Sequence, residues 1–247
     1  MGNDTLVMTA TFRPAAGTPG LVVTDERERA LHYLCALVAW AEASRVHRIV
    51  FAENSNTPFD FSPVRRYLDA AGKEVEFLVF DGNREVGGLG KGYGEGEILE
   101  HAFRHSRLLH AAPAFYKITG RLFVANFDAV SDATPGGDAF QRKVKQPKDG
   151  STRPCKVVTT FFKCSLALFE RRLLRAYTQV NDPQGVFIEH VYYNELRDVE
   201  TPGFAVRPTL VGQQASTGRI YAPYDDQIIE RARSLMDGAA DSSQKLA

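Results

Sequence analysis

No run of apolar residues in this chain approaches the roughly 18 that a membrane-spanning helix needs. The longest candidate, Ala30 to Ala43, is interrupted by His32 and Glu42 and reads as a buried helix. The first residues carry no basic stretch leading into an apolar run, so no signal peptide is expected. Cysteine is scarce. Cys35, Cys155 and Cys164 are too few and too irregularly spaced for a disulfide framework or a zinc site, which fits a reducing cytoplasm and inert thiols. Neither sign of charge is in excess, with 30 Lys and Arg against 30 Asp and Glu. This argues against nucleic acid as a partner, because no basic surplus exists to neutralise phosphates. Internal repeats are absent.

What is present is an ordinary globular composition: 247 residues, 44% of them hydrophobic, enough for one α/β domain or two small ones. Leu6 to Phe12 reads as a strand ended by Arg13-Pro14. Thr24 or Asp25 caps a helix to about Ser44, with Leu31, Leu34, Cys35, Val38 and Ala41 at helical spacing and Trp40 in the core. Strands at Arg48–Ala52 and Val75–Phe80 flank a helix that Ser62-Pro63 starts and Gly72 stops. A further strand falls within Phe115–Asn126. This alternation predicts an α/β fold with a mainly parallel sheet covered on both faces. Ligands of such sheets bind beyond the carboxyl ends of the strands. The polar clusters Thr11-Phe12-Arg13, Glu53-Asn54-Ser55 and Asp81-Gly82-Asn83 fall there.

Between the third and fourth strands lies Gly87 to Glu97, in which six of eleven residues are glycine. Glycine permits positive φ and close backbone approach. A glycine-rich loop feeding a helix to about Ser106 is a candidate anion cradle, with Lys91 as a mobile cation; the alternative is a plain surface turn. It matches neither standard phosphate motif: Gly90-Lys91 is followed by Gly92 rather than Ser or Thr, and no register gives G-x-G-x-x-G. Ala129 to Pro154 is rich in Gly, Pro, Asp and Lys and reads as a long loop, its basic run Arg142-Lys143-Val144-Lys145 as a solvated face. A strand over Lys156–Phe162 follows, then an amphipathic helix over Leu166–Val180 with Arg171, Arg172 and Arg175 on one face. Asn181-Asp182-Pro183 breaks it, a helix from Gly185 to about Arg197 comes next, and the tail after Asp237 is expected to fray.

These segments resemble the GT-A glycosyltransferases over roughly residues 6 to 220. Glu53-Asn54-Ser55 and Asp81 match the acidic strand ends that meet the nucleotide in that family, and Gly90 to Ser106 its glycine-containing loop and helix. Lys117-Ile118-Thr119-Gly120-Arg121, Thr159-Thr160-Phe161-Phe162 and Ile188-Glu189-His190 resemble signatures of bacterial polysaccharide and capsule glycosyltransferases. The resemblance implies a single GT-A-like domain over residues 1–237, with a donor half to about 128, a loop over 129–154, an acceptor half over 155–237 and a flexible tail over 238–247. It implies transfer of a sugar from a nucleotide-sugar to a surface polysaccharide or a lipid-linked saccharide, with peripheral membrane contact left open. Thr11, Arg13, Glu53, Asn54, Asp81 and Thr119 are then expected around the donor. Glu189 is the expected base for the acceptor hydroxyl, assisted by His190 and flanked by Phe187, Tyr192 and Tyr193; the alternative for Glu189 is a carboxylate at a helix amino end. Glu95 borders the glycine stretch, and Ser216-Thr217-Gly218-Arg219 is either a phosphate clamp or an ordinary turn.

The fourth strand lacks the family's Asp-x-Asp. Charge developing on a departing phosphate must still be met. Lys117 and Arg121, with Lys91 and the amides of Gly92 to Glu95, are the expected replacements, so no metal cofactor is expected; the alternative is manganese or magnesium held by Asp128 or Asp132. A nucleotidyltransferase on sugar phosphates and a non-catalytic nucleotide-sugar-binding module remain as other readings. If cations replace the metal, sugar transfer survives EDTA; loss on chelation with rescue by manganese contradicts the expectation.

Overall fold

A computed structural model describes residues 4–18, 21–143, 155–214 and 218–244. In chain order the elements are β1 (Asp4–Ala10), α1 (Glu26–Glu42), β2 (Val46–Glu53), α2 (Ser62–Ala70), β3 (Glu74–Val79), the single turn α3 (Val86–Leu89), α4 (Lys91–His105), α5 (Arg107–His110), β4 (Ala114–Thr119), β5 (Leu122–Val124) and α6 (Phe127–Asp132). After them come β6 (Arg142–Lys143), β7 (Lys156–Val157), β8 (Phe161–Ser165), α7 (Leu166–Leu168), α8 (Ile188–Glu195), β9 (Leu210–Gly212) and α9 (Asp226–Gln244).

The central sheet has the order β3-β2-β1-β4-β8. β1, β2, β3 and β4 run parallel, and β8 closes the edge antiparallel to β4. This is the mainly parallel α/β architecture that the alternation of elements predicts. β1 is buried on both faces, as a central parallel strand must be. Leu6 and Met8 join the core under α1, whereas Val7 joins the core under α4 and the segment around Phe169. α1 starts where Asp25 accepts a hydrogen bond from the Glu28 amide. Trp40 is fully buried on it, and its indole N–H donates to the Leu122 carbonyl at 3.0 Å. Among the described residues no helix is long and apolar enough to cross a membrane.

Five segments depart from the sequence expectation. The strand predicted over Lys156–Phe162 is split: β7 covers Lys156–Val157 beside β6, and β8 of the central sheet begins at Phe161. The glycine stretch is helical. α3 and α4 occupy it, and only Gly90 between them takes a positive φ, +102°. Its other glycines allow close packing: a Cβ on Gly96 would lie 2.0 Å from Cβ of Tyr177. Helix propensity argued against a helix here, and tertiary contact overrode it. The predicted loop over 129–154 is ordered at its start: α6 covers Phe127–Asp132, and Ala139 exchanges backbone hydrogen bonds with Lys163 at 2.9 and 3.0 Å. Val144 to Pro154 lie outside the described residues. The predicted helix over 166–180 is three short pieces: α7, a π turn at Phe169–Leu173 and a 3-10 turn at Ala176–Gln179. Finally, α9 runs to Gln244 through the tail expected to fray after Asp237, and Ala239 within it is buried. α9 returns to pack on α1, so the end of the chain lies against the first half of the sheet.

The packing gives a direct comparison of two glycines. Gly96→Ala is expected to overpack Tyr177 and cost about 1–3 kcal/mol, whereas Gly88→Ala meets nothing within 4 Å and is expected to be neutral or mildly stabilising. Equilibrium urea unfolding of both variants checks this; equal midpoints would contradict it.

Candidate functional site

The chain builds β1, β2 and β3 outward in one direction, then crosses back to place β4 on the other side of β1. The crossovers beyond β1 and β4 therefore diverge and leave a crevice at their carboxyl ends, the usual ligand position in open α/β sheets. A crevice of about 380 Å³ lies there. Thr9 and Thr11 enter it from the end of β1, and Thr119 and Arg121 from the end of β4. Arg29 and Tyr33 enter from α1. Lys91, Gly92, Gly94 and Glu95 line it from α4, Lys156, Thr159 and Thr160 from the approach to β8, and Asp182, Phe187, Glu189 and His190 from the loop into α8.

Gly120 sets the reach of Arg121. Its amide donates to the Thr9 carbonyl at 2.9 Å, and a Cβ there would lie 2.7 Å from that same oxygen. The chain turns tightly against β1, and the Tyr224 hydroxyl fixes the next residue by donating to the Arg121 carbonyl at 2.9 Å. The Arg121 guanidinium is buried and lies over the Tyr33 ring, 5.4 Å from its centroid. Nη1 donates to Tyr33 Oη at 3.1 Å, whereas Nε has no partner. Arg29 is equally buried; it donates to the carbonyls of Thr11 at 2.7 Å and Val23 at 3.0 Å and to Tyr33 Oη at 3.2 Å. Neither arginine meets a carboxylate among the described residues. Burial lowers the Arg121 pKa.

The α4–α8 side of the crevice carries acid. Glu189 is mostly buried, and burial raises its carboxyl above the ordinary value, with Glu95 and Asp182 pushing the same way and Lys156 opposing. Burial also raises Asp182. Beside burial, Glu189 feels its own backbone N–H, Glu95, Lys156, Asp182 and Lys117, whereas Arg121 feels Tyr33, Arg29 and Tyr224. The crevice is thus polarised, with arginines at one pole and carboxylates at the other.

Several expected site residues sit elsewhere. Lys117 is fully buried and does not line the crevice: its ammonium donates to Glu95 at 2.6 Å and to the Thr159 carbonyl at 2.7 Å. Glu95 stands between it and the crevice, so Lys117 is a neutralised core cation rather than a phosphate ligand. The expected amide cradle is also taken. The Asp182 carboxylate stands over the amino end of α4: a Cβ on Gly90 would lie 2.3 Å from its Oδ2, and the Lys91 and Gly92 N–H groups act on its pKa against burial. Glu53 and Asn54 tie strand ends together. Glu53 Oε1 accepts from the amides of Phe12 at 2.8 Å and Ser55 at 2.9 Å; Asn54 accepts from the Thr11 hydroxyl at 2.6 Å and donates to Glu97 at 3.2 Å. Arg13 is exposed and paired with Glu26 at 2.9 Å, and Asp81 is paired with Arg84. None of these four lines the crevice. Ser216 and Thr217 lie outside the described residues; Arg219 stacks on Tyr221 at 5.3 Å, and of this turn Gln214 reaches the crevice. Thr11, Lys91, Gly92, Glu95, Thr119, Arg121, Glu189 and His190 do come together there.

The carboxylates considered for a metal do not fit one. Asp128 accepts from the Arg45 amide at 3.1 Å, and Asp132 pairs with the Arg45 side chain at 2.5 Å. Arg45 precedes β2, so both lie at the amino ends of the strands, opposite the crevice. Among the described residues no group of three or more His, Cys, Asp and Glu is placed to hold a metal ion.

Arg29 and Tyr33 escaped the sequence reading. Their signal was an arginine and a tyrosine four residues apart, hence on one face, in a helix otherwise mostly apolar there.

No protein-family model matches the chain, and no curated protein matches it in sequence. Among solved structures it is similar to a 4-diphosphocytidyl-2C-methyl-D-erythritol synthase from Anaerococcus prevotii DSM 20548, at 11% identity over 95% of this chain and 96% of that one, with a TM-score of 0.46. It is also similar to the galactosyltransferase LgtC in complex with donor and acceptor sugar analogs, at 10% identity over 78% and 70% of the two chains, TM-score 0.45. A third is CMP:2-keto-3-deoxy-manno-octonic acid synthetase complexed with CTP, at 14% identity over 96% and 99%, TM-score 0.42. Likenesses this remote carry no argument about what this chain does.

The Lys117–Glu95 pair yields a stability prediction with a direction. Glu95→Ala strands a buried ammonium and is expected to cost about 3–5 kcal/mol. Lys117→Met leaves a carboxylate that is already 22% exposed and can be hydrated, and is expected to cost less. Urea unfolding checks the order; a larger loss for Lys117→Met would contradict it.

Proposed function

We propose that the protein transfers a sugar from a nucleotide-activated donor to a hydroxyl acceptor in the switch-point crevice. The observation that carries this reading is the polarity of the site: two buried arginines without carboxylate partners at one pole, and a carboxyl group raised by burial at the other. A buried cation needs a counter-charge, and the donor's phosphates supply one. Guanidiniums suit that task because their forked donors match phosphate oxygens.

The chemistry then divides between the poles. Glu189, with His190 beside it, takes the proton of the acceptor hydroxyl as its oxygen bonds to the anomeric carbon. The bond between that carbon and the phosphate oxygen breaks. The departing nucleotide carries its new charge against Arg121 and Arg29, with Lys91 and Lys156 at the crevice wall. The proposed steps use no metal; Asp128 and Asp132 lie at the amino ends of the strands, away from the crevice.

The acid pole also favours glycosyl over nucleotidyl transfer. The nucleophile in nucleotidyl transfer to a sugar phosphate is already an anion. It has no proton for Glu189 to take. The acceptor is proposed to be a saccharide hydroxyl, on a surface polysaccharide or lipid-linked chain, with Phe187 at the crevice as a stacking surface.

A thermal-shift screen of nucleotide-sugars, followed by product analysis, tests the donor. Binding raises the midpoint by mass action. Turnover of a nucleoside triphosphate with a sugar phosphate, and none of a nucleotide-sugar, would replace this reading with nucleotidyl transfer. Glu189→Gln sharpens the test. Turnover is expected to fall about a hundred- to ten-thousand-fold with donor affinity retained. Because burial raises the Glu189 pKa, ionising it costs stability that grows as pH rises above the unfolded value of 4.5 and levels off above the folded value. Glu189→Gln should therefore be more stable than the parent at neutral pH, with the gap closing as pH falls toward 4.5. Retained turnover would remove Glu189 from the mechanism.

A further inference from the structure

Three N–H donors converge on one phenolic oxygen. Tyr33 Oη receives the Thr11 amide at 2.9 Å, Arg121 Nη1 at 3.1 Å and Arg29 Nη2 at 3.2 Å. A neutral phenol has two lone pairs to offer and must also place its own proton. The acceptor for that proton is the Thr11 carbonyl, at 3.2 Å. This is long for an O–H donor, whose bonds fall at roughly 2.5–3.0 Å, while all three N–H contacts lie within the usual N–H range. The Thr11 carbonyl already accepts Arg29 Nε at 2.7 Å. A phenolate, with three lone pairs, fits the three donors.

Charge accounting points the same way. Arg29 and Arg121 are 4% and 6% exposed and meet no carboxylate among the described residues. Two buried guanidiniums leave two positive charges uncompensated, at a cost of several kcal/mol each. One phenolate removes one of them, and a ligand oxyanion at the crevice wall can take its place.

We propose that Arg29, Tyr33 and Arg121 form a phosphate-oxyanion site in which the Tyr33 phenolate, once the phenol has ionised, is the counter-ion of the guanidiniums and takes up one proton from solvent when a phosphate oxygen draws the guanidiniums to itself. The protonated phenol then donates to the Thr11 carbonyl. The proton balance is one taken up per phosphate bound, with no other bond made or broken. This rests on the reading that the crevice takes a phosphate-bearing ligand, and not on which group is transferred.

The titratable surroundings of Tyr33 support the assignment. Burial pushes its pKa up, but Arg29 from α1, Arg121 from the turn after β4 and the Thr11 amide from β1 outweigh burial, and the net shift is downward from 10.0. Glu53 at the end of β2 opposes them. His32, next in the chain, is held below its ordinary value by burial, with Glu28 opposing and Arg121 and Arg29 adding to the effect. Of the nine tyrosines in the chain, seven others (Tyr67, Tyr93, Tyr116, Tyr177, Tyr192, Tyr193 and Tyr224) are shifted upward. Tyr33 is shifted in the opposite direction to those seven.

The experiment is an alkaline titration of the full chain, followed by tyrosinate absorbance in the near ultraviolet, with pyrophosphate as the probe ligand. One tyrosine is expected to ionise below 10.0 in the unliganded protein and to be missing from Tyr33→Phe. Saturating pyrophosphate is expected to erase that early tyrosinate signal. Pyrophosphate affinity above the early transition is expected to weaken by about tenfold per pH unit relative to Tyr33→Phe, the slope of one linked proton. Should Tyr33→Phe fail to fold, Arg121→Gln gives the second reading: the early step must move back toward 10.0. Absence of an early step, an early step indifferent to pyrophosphate, or failure of pyrophosphate to bind would each overturn the proposal. An intact early step in a protein that turns over no nucleotide-sugar would instead refute the transferase reading and leave the Tyr33 assignment standing.

Discussion

At the carboxyl ends of β1 and β4 the sheet's hydrogen-bond ladder has stopped, yet the chain is still buried. Every polar group there must find a partner that is neither ladder nor bulk water, because an unpaired one costs about 1–3 kcal/mol. One α1 residue, Tyr33, meets much of that demand. Its oxygen takes the Thr11 amide and both guanidiniums, its ring supports Arg121, and it stacks on Phe12 at 5.3 Å. The path of the chain past β1, the entry of α1 and the turn after β4 all converge on this group. The crevice exists because those three segments are held apart around it.

The same constraint separates the two kinds of charge. Arg29 and Arg121 are held by carbonyl oxygens and a phenol, so their positive charge remains available to a ligand. Lys117, only four residues before Arg121 in sequence, lies inside the sheet layer and is matched by Glu95. Two cations that look alike in one short motif thus have opposite roles. One is consumed by the fold, and the other faces the crevice.

Much of the architecture was legible in the sequence, because parallel strands buried on both faces read as apolar runs and their connecting helices carry caps such as Asp25 and breakers such as Gly72. The end of β4 was legible too, since Thr119 and Arg121 follow an apolar strand directly. The glycine stretch was not. A helix can use glycine to bring Tyr177 and Ile188 against its backbone, and composition does not distinguish that use from a loop. The carboxylate that stands over the helix's amino end, Asp182, comes from a segment some ninety residues downstream. The bracing contacts of Glu53 and Asn54 were hidden for a related reason: a strand end that meets ligand and one that braces its neighbour carry the same polar residues. Only the neighbours, Phe12, Ser55 and Glu97, decide between the two.

The central claim is that phosphate is held by the arginine pole at the switch point between β1 and β4. The most direct measurement is a crystal structure of the protein with a bound nucleoside diphosphate. The account predicts phosphate oxygens within hydrogen-bond distance of Arg121 and Arg29, with Asp182 still over the amino end of α4. Phosphates seated on the amino end of α4 with Asp182 displaced, or bound outside the crevice, would contradict it.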